Sequence, residues 1–378
     1  MTTPMKIAVI MEYFKVHGGA EMCAYSLIEA LNKKGIIPDV YGKVNFINEE
    51  KTMKKEIKEI FNKNLLFNFH ISIGDRINNS LIKAYIYDYL FAFKFFLLSL
   101  FGKKYDFIYD FTAHKIPFYT NNGNYLSYPH FLFENTFKIK KSSILKYLIK
   151  NILFMILIKK QKYNFYNNKV KVILNSKYTA DCVKKYFKKS VDFIYPPVNI
   201  KRFKNNNEIK KDQVISLGRF TEYKRQMEQI EIARHFPEVK FYLCGSITNQ
   251  YYFEKLKKEA TKTKNVIICP AIRQDLLTKL MSESLIFLHS MHGEHFGIAI
   301  AEAIAAGCIP VVHDSGGPRE IVPFEELRYK TKEEAINIIE KLLRKTELCK
   351  NYRKKLQSHI EQFDEKVFQK KMLEIANL

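Results

Sequence analysis

In the second half of the chain, short apolar runs alternate with amphipathic segments. Each run is rich in β-branched or aromatic residues and ends at a glycine, a proline or a polar residue, which is typical of a buried strand. The predicted strands are Val214–Leu217, Lys240–Cys244, Val266–Cys269, Leu285–Leu288 and Ile309–His313. This alternation predicts a parallel, doubly wound sheet in which the loops after the strands share one edge.

The first half contains a second pattern of the same kind. An apolar strand at Ile7–Met11 leads through a glycine-containing turn into an amphipathic helix. Further strands are predicted at Asp106–Phe111, Tyr125–Tyr128 and Lys171–Ser176. The stiff pair Pro196-Pro197 marks a boundary. The sequence therefore predicts an α/β protein with one domain at residues 1–195 and another at residues 196–362.

Two apolar stretches edged with lysine interrupt the first domain, at residues 81–101 and 144–158. Neither offers the ~18 uncharged apolar residues that a membrane-spanning helix needs. Their pattern is typical of helices that lie in a membrane interface, and it also fits helices that pack on the domain core with their lysines in water. We expect membrane-facing insertions and leave the second interpretation open.

Composition narrows the class of protein. The 378 residues are 47% hydrophobic and 27% charged, as in globular and not disordered chains. The net charge of +23 falls mostly within residues 51–195, which favours an anionic partner such as lipid headgroups, a phosphorylated acceptor or nucleic acid. The six cysteines form no C-x-x-C motif, and the N-terminus enters a strand without a secretory signal, so we expect reduced cysteines in a cytosolic protein.

Two carboxylates separated by seven residues follow the fourth of the strands in the second half. Glu294 lies in a loop, and Glu302 lies in the helix that starts near Phe296 and Gly297. The amides of Phe296, Gly297 and Ile298 should be the free donors of the helix N-terminus, which suits an anionic or hydroxyl-rich ligand. Such carboxylates can hold sugar hydroxyls, although one capping and one solvent-facing carboxylate would have the same spacing.

Two cations, Arg219 and Lys224, follow the first of those strands. The loop between them can turn both side chains into one cleft. Fixed cations stabilise the charge that grows on a departing diphosphate, with Arg supplying a planar fork and Lys a point charge. Solvated surface cations are the plain alternative.

The chain offers little else for metal or nucleotide chemistry. The triplet His289-x-x-His292-x-x-His295 has metal-like spacing, but three residues placed three apart share one helical face poorly. The sequence contains neither a D-x-D nor a Walker A motif. We predict no metal site and no bound cofactor.

The stretch EHFGIAIAE at residues 294–302, followed by AAG-x-IPVVHDSGGP, resembles the E-x7-E signature of retaining glycosyltransferases of family 4. It is most similar to the branch that adds mannose to dolichol-linked oligosaccharides, and the likeness extends well over residues 170–325. The resemblance implies the GT-B fold, in which two Rossmann-like, doubly wound parallel-sheet domains face each other across a cleft. It also implies that residues 363–378 form a helix that crosses back to the N-terminal domain.

The same resemblance implies roles for the candidate residues of the second domain. Arg219 and Lys224 match the family's R-x4-K pair and would hold the donor diphosphate. Glu294 would contact sugar hydroxyls, helped by the amides of Phe296–Ile298. Glu302 would accept the ribose hydroxyls.

In the first domain, the resemblance implies three contacts. Gly18 and Gly19 match the paired glycines that cover the donor phosphates, and His130, within YLSYPHF, would orient the donor sugar. The plain alternative for the two glycines is that they only form a tight turn. The plain alternative for His130 is a structural role.

We therefore expect a retaining, metal-independent transferase that moves a hexose from a nucleotide diphosphate sugar to a lipid-linked or other glycan acceptor. GDP-mannose is the first choice of donor, and the cytosolic face of a membrane is the expected location. One alternative is an epimerase or hydrolase of nucleotide sugars with the same fold. Another is a basic membrane- or nucleic-acid-binding protein with a degenerate site. The intact Glu, Arg and Lys set argues against that alternative, and we expect no nucleic-acid partner.

Overall fold

The computed structural model of the chain describes residues 5–13, 18–44, 58, 64–73, 105–111, 171–204 and 209–378. His130, the predicted strand at 125–128 and the apolar stretches 81–101 and 144–158 lie outside the described residues. The chain divides into two compact units. The first comprises Met1–Asn175, Ala180–Tyr195 and Phe368–Leu378, and the second comprises Ser176–Thr179 and Pro196–Val367.

Within the described residues, the first unit contains a four-stranded parallel sheet. Its elements are β1 (Ile7–Tyr13), α1 (Gly19–Lys33), β2 (Asp39–Val44), β3 (Asn68–Ile73) and β4 (Phe107–Asp110). The strand order runs outward from β1 through β2 to β3 on one side and begins again with β4 on the other. The carboxyl ends of β1 and β4 therefore form the switch point of this sheet.

A short parallel strand pair and one helix complete this part of the chain. They are β5 (Ile173–Leu174), α2 (Lys177–Phe187) and β6 (Asp192–Phe193). The amide of Thr179 donates to Ser176 Oγ over 3.2 Å, so Ser176 caps the start of α2.

The second unit contains a six-stranded parallel sheet in the order β12-β11-β10-β7-β8-β9. Its strands are β7 (Lys211–Leu217), β8 (Lys240–Gly245), β9 (Val266–Pro270), β10 (Ser284–His289), β11 (Ile309–His313) and β12 (Arg328–Tyr329). Every residue of β10 is buried, as is expected of a central strand covered on both faces. The prediction of a parallel, doubly wound sheet is confirmed.

Helices connect these strands and extend to the end of the chain. They are α3 (Lys201–Lys204), α4 (Gln226–Ala233), α5 (Gln250–Ala260), α6 (Gln274–Glu283), α7 (Ile298–Ala305), α8 (Pro318–Ile321), α9 (Lys332–Arg344), α10 (Thr346–His359) and α11 (Glu365–Ile375). Arg273 is the N-cap of α6. Asp275 lies in the first turn of this helix and pairs with the Arg273 guanidinium at 2.5 Å. Among the described helices, none has the length and apolar composition to cross a bilayer.

The end of the chain contributes to the core of the first unit. Phe368 and Met372 of α11 pack in one cluster with Leu27, Ile28 and residues of β1. The hydroxyl of Tyr109 donates to the Met372 carbonyl over 2.7 Å, inside that core. Burial raises the pKa of Tyr109, so this phenol stays a neutral donor.

Candidate active site

The loops after β7 and β10 meet at the switch point of the six-stranded sheet. The chain runs outward from β7 through β8 to β9, then returns to β10 and continues through β11 to β12. The loop after β7 contains a single turn of 3-10 helix at Glu222–Lys224. The loop after β10 ends at the N-terminus of α7. Ligands of doubly wound sheets bind at this crevice, so topology alone selects these two loops.

An ion pair joins the two loops. Lys224 Nζ donates directly to Glu294 Oε2. The two side chains are only 17% and 14% exposed, respectively. Burial raises the pKa of the Glu294 carboxyl, but its polar and charged neighbours, the Lys224 ammonium among them, oppose this effect more strongly and hold the pKa well below its usual range. Glu294 is therefore a fixed negative charge at physiological pH, and Lys224 is held beside it.

His289 lies behind this pair, at the end of β10. Its side chain is 5% exposed, and its Nε2 lies 3.6 Å from Glu294 Oε2, beyond hydrogen-bond distance. Within the described residues, Nε2 has no hydrogen-bond partner. Burial lowers the pKa of His289, so a neutral imidazole faces the carboxylate. The sequence singled out His289 only through its metal-like spacing; its position at the end of a buried strand was the signal missed.

The three histidines of that triplet have different surroundings. His292 is exposed and stacks on His313 with ring centroids 3.5 Å apart, whereas His295 is partly buried in the loop. Burial, with His292 close by, lowers the pKa of His313 to about 4. In the part of the chain that the structure describes, no group of three or more His, Cys, Asp or Glu side chains is placed to hold a metal ion.

The pKa of the Glu302 carboxyl is shifted in the direction opposite to that of Glu294. Glu302 lies in α7, and burial raises its pKa to about 7, with Arg202 of α3 opposing the shift. Arg202 itself donates to Thr278 Oγ1 over 3.1 Å. Near neutral pH, Glu302 is therefore divided between its protonated and ionised forms.

Two of the three amides predicted as donors, those of Gly297 and Ile298, lie at the N-terminus of α7. Gly297 is the N-cap with φ 105°, a conformation that favours glycine. Within the described residues, the amides of Gly297 and Ile298 donate no hydrogen bond. Phe296 is buried and packs edge-on against Phe363, with ring centroids 5.3 Å apart. Its side chain thus anchors the loop in the core.

The turn after β11 holds the Glu294 loop in place by direct backbone contact. A Cβ on Gly316 would lie 2.3 Å from the Glu294 carbonyl oxygen, and one on Gly317 would lie 2.3 Å from that of His295. The Gly317 amide donates to the Glu294 carbonyl over 2.8 Å. On the other side, Ser176 Oγ donates to the His295 carbonyl over 2.5 Å. The loop is therefore clamped from two directions.

Arg219 differs from Lys224 in being exposed. Its guanidinium carbon lies 5.9 Å from the centroid of the Tyr223 ring, and its carbonyl oxygen accepts from Gln226 Nε2 over 2.9 Å. The backbone of this loop is anchored while the cationic side chain extends into solvent, where an anionic ligand can meet it. The structure thus brings Lys224 and Glu294 into contact, with Arg219 at the edge of the same loop.

Gly18 and Gly19 lie at the corresponding place in the first unit, after β1 and at the start of α1. Gly18 is the N-cap, in an extended conformation. A Cβ at Gly18 would lie 1.7 Å from Glu21 Oε2, so a carboxylate already lies against this helix start. A phosphate at the same position would repel that carboxylate, and its binding there requires Glu21 to move.

Comparisons with known proteins agree with this geometry. Residues 198–359 match the family model described as glycosyl transferases group 1. The chain is 28% identical over 231 residues to a "GDP-Man:Man(3)GlcNAc(2)-PP-Dol alpha-1,2-mannosyltransferase" of Dictyostelium discoideum, covering 53% of this chain and 46% of that protein. It is 30% identical over 177 residues to the protein of the same name from Xenopus laevis, covering 41% of this chain and 36% of that protein. The alignments thus span less than half the length of these relatives.

Solved structures extend the likeness to the whole chain. The crystal structure of Anabaena HepE in complex with UDP and glucose matches with a TM-score of 0.71 and 18% identity, covering 99% of this chain and 100% of that one. The predicted GT-B fold and the predicted resemblance to glycosyltransferase family 4 are both confirmed. Residues 198–359 therefore match the glycosyl transferases group 1 family, within a chain that has the GT-B fold and is similar in sequence to the mannosyltransferases named above.

Proposed function

We propose that the chain is a retaining sugar transferase that moves mannose from GDP-mannose to a lipid-linked glycan on the cytosolic face of a membrane. The observation that carries the proposal is the buried Lys224–Glu294 pair at the switch point, inside the region that matches the family. The names of the two mannosyltransferases support the donor and acceptor classes. UDP, bound in the Anabaena structure, makes a uridine nucleotide the competing choice of donor.

In this proposal, the donor diphosphate lies against Arg219 and Lys224. Negative charge grows on the diphosphate as the bond from the sugar C1 to the phosphate oxygen breaks, and two fixed cations lower the energy of that state. Glu294 holds the Lys224 ammonium in position before the donor arrives, so little reorganisation is needed during reaction. These cations do the work that a divalent metal does in other nucleotide-sugar enzymes, so we expect no metal requirement.

The sugar and the ribose meet the two carboxylates. Glu294 is ionised and accepts hydrogen bonds from sugar hydroxyls, while the amides of Gly297 and Ile298 donate to the donor from the start of α7. Glu302 accepts the ribose hydroxyls in its ionised form. His130 and the Gly18–Gly19 pair keep their expected roles in orienting the sugar and covering the phosphates.

Retention of configuration follows from the proton transfer that this arrangement permits. The acceptor hydroxyl attacks C1 on the face from which the diphosphate leaves, and the leaving phosphate oxygen takes the acceptor's proton. Positioning and electrostatic stabilisation then carry the catalysis, with no covalent sugar–protein intermediate. The anomeric configuration of the product, read by NMR, tests this step directly.

The first experiment measures thermal stabilisation of the purified protein by GDP, UDP and ADP, with and without a chelator. A ligand that binds only the folded state must raise the melting temperature. We expect the largest shift with GDP, unchanged by the chelator. A larger shift with UDP would move the donor assignment to a uridine nucleotide sugar, and no shift with any nucleotide would overturn the proposal.

Product analysis then separates a transferase from an epimerase or hydrolase. Labelled GDP-mannose is incubated with and without a polyprenyl-diphosphate oligosaccharide, and label in the lipid phase is counted. We expect transfer only with the acceptor, and slow donor loss without it. Equal donor consumption in both reactions would favour the hydrolase or epimerase.

A further inference from the structure

Two of the six cysteines are direct neighbours across adjacent strands. The parallel pairing of β8 and β9 places Cys244 opposite Cys269, and both are free thiols. Residues paired in this way project from the same face of a sheet. Neighbouring strands lie about 4.8 Å apart, which falls within the ~4.4–6.8 Å between Cα atoms that a disulfide can bridge.

The two thiols differ in access. Cys244 is 2% exposed, within the sheet. Cys269 is partly buried on β9, the edge strand, and Ile267 on the same face of that strand is 36% exposed. A small solute can therefore reach Cys269, whereas Cys244 can be reached only by a neighbouring side chain such as that of Cys269.

The pair also divides its protons unequally. Each thiol acts on its neighbour: the pKa of Cys269 is lowered, while that of Cys244 is raised by its neighbour together with burial. The more accessible sulfur is thus the more acidic one, which is the combination that makes a cysteine reactive. The sulfur of Cys244 stays protonated next to it.

We propose that Cys244 and Cys269 form a redox-active dithiol, which a peroxide oxidises to a cross-strand disulfide. The Cys269 thiolate attacks one peroxide oxygen, the O–O bond breaks, and after protonation a sulfenic acid and one water are formed. Cys244 then attacks the Cys269 sulfur and displaces a second water as the S–S bond forms. In sum, two thiols lose two electrons and two protons to hydrogen peroxide, which becomes two molecules of water.

Other cysteines of the chain provide internal controls. Cys308 donates from its thiol to the Met281 carbonyl over 3.0 Å, and Cys349 donates to that of Leu342 over 3.1 Å. Both are buried in the core. Burial raises the pKa of Cys308 to about 11, so it holds its proton against the same oxidant.

Peptide mapping of the whole protein tests the proposal. The reduced chain is treated with hydrogen peroxide, remaining thiols are alkylated, and the protein is digested with trypsin without reduction. We expect residues 241–255 and 265–273 to appear as one cross-linked species that dithiothreitol separates. Recovery of both peptides in alkylated form, at a peroxide dose that oxidises a low-molecular-weight thiol completely, would overturn the proposal.

Variants test the order of the steps. In Cys244→Ala, Cys269 has no resolving thiol, so we expect a sulfenic acid that dimedone labels at residue 269. In Cys308→Ala, the matched control at a buried cysteine, the cross-linked species should form as in the parent chain. Melting temperatures establish that both variants fold. Absence of dimedone label in a folded Cys244→Ala protein would contradict the assignment of Cys269 as the attacking thiol.

Discussion

The loop that carries Glu294 and the helix that carries Glu302 are joined in sequence but treat a carboxylate in opposite ways. In the loop, Lys224 contacts the Glu294 carboxylate directly, and the pKa of Glu294 lies well below its usual range. In the helix, burial raises the pKa of Glu302 to about 7, against the weaker effect of Arg202. Each carboxylate is at least partly buried, so burial alone does not set the charge; the presence of a direct cationic partner does.

Glu294 and Glu302 therefore differ in how much each must change when a ligand binds. A carboxylate that is ionised before the ligand arrives needs no reorganisation, whereas one with a pKa near 7 must lose its proton to accept hydroxyl donors. The first arrangement suits a group that orients the reacting sugar, and the second makes donor binding depend on pH. Four predictions follow from this contrast.

Breaking the loop's pair should have the largest effect. We expect Lys224→Ala and Glu294→Ala each to lower kcat at least ~100-fold while the fold survives. Each variant also leaves the partner's charge unpaired in a largely enclosed position, so the melting temperature should fall in both. Steady-state kinetics and thermal denaturation measure the two effects.

A matched control and a double variant sharpen this test. Lys211 pairs with Glu283 at 2.7 Å but is 58% exposed, so Lys211→Ala should leave kcat near that of the parent chain. In Lys224→Met/Glu294→Gln the unpaired charge is gone, so stability should recover while kcat stays low. Near-normal kcat in both alanine variants would exclude this pair from the site.

Disturbing the clamp under the loop should have the next largest effect. Gly316→Ala combines a backbone φ of 74° with a Cβ 2.3 Å from the Glu294 carbonyl oxygen. The Glu294 loop must shift, and a displacement of about 1 Å can cost on the order of 100-fold in rate. Gly35→Ala is the control, since its φ is 75° but nothing lies within 4 Å of the added Cβ. Equal kcat in the two variants would show that the clamp does not position the site.

Removing the charge of Glu302 should move stability and binding in opposite directions. Its folded-state pKa of about 7 lies above the usual 4.5, so the stabilisation from its bound proton is full below pH 4.5 and is lost as pH rises through 7. At pH 8, Glu302→Gln should therefore raise the melting temperature. The lost charged hydrogen bonds should weaken GDP binding about tenfold or more, as measured by calorimetry. Unchanged affinity would remove Glu302 from the ribose contact.

The pH dependence of binding should be the smallest effect. The ionised form of Glu302 accepts the ribose hydroxyls, so GDP affinity should decrease as pH falls from 8 to 6, by up to about tenfold for a pKa near 7. Titration of the GDP phosphate contributes in the same range, and Glu302→Gln measures that contribution alone. A slope that is equal in the parent chain and Glu302→Gln would assign the pH dependence to the ligand.

Local patterns predicted much of the second unit and less of the first. Continuous apolar runs marked the strands β7 to β11, because buried parallel strands carry apolar residues on both faces. The strand β3 (Asn68–Ile73) was not predicted, since Asn68, His70 and Ser72 interrupt its apolar positions. The two-residue strand β12 is too short to have a pattern of its own.

The candidate site divides in the same way. Motif spacing identified Arg219, Lys224, Glu294 and Glu302 because each lies in a recognisable local stretch. The contact between Lys224 and Glu294 depends on β7 and β10 being adjacent, which strand order determines and local sequence does not. The neutral state of His289 likewise depends on burial by distant parts of the chain.

The glycine turn at Gly316-Gly317 has a consequence for attempts to alter this protein. At Gly316 and Gly317 the turn touches the Glu294 loop backbone to backbone, so a change of shape in one segment is passed directly to the other. A loop transplanted from a related enzyme will therefore fit only if residues 293–297 and 315–317 are exchanged together. Directed evolution that randomises one segment alone will sample distorted loops far more often than new specificities.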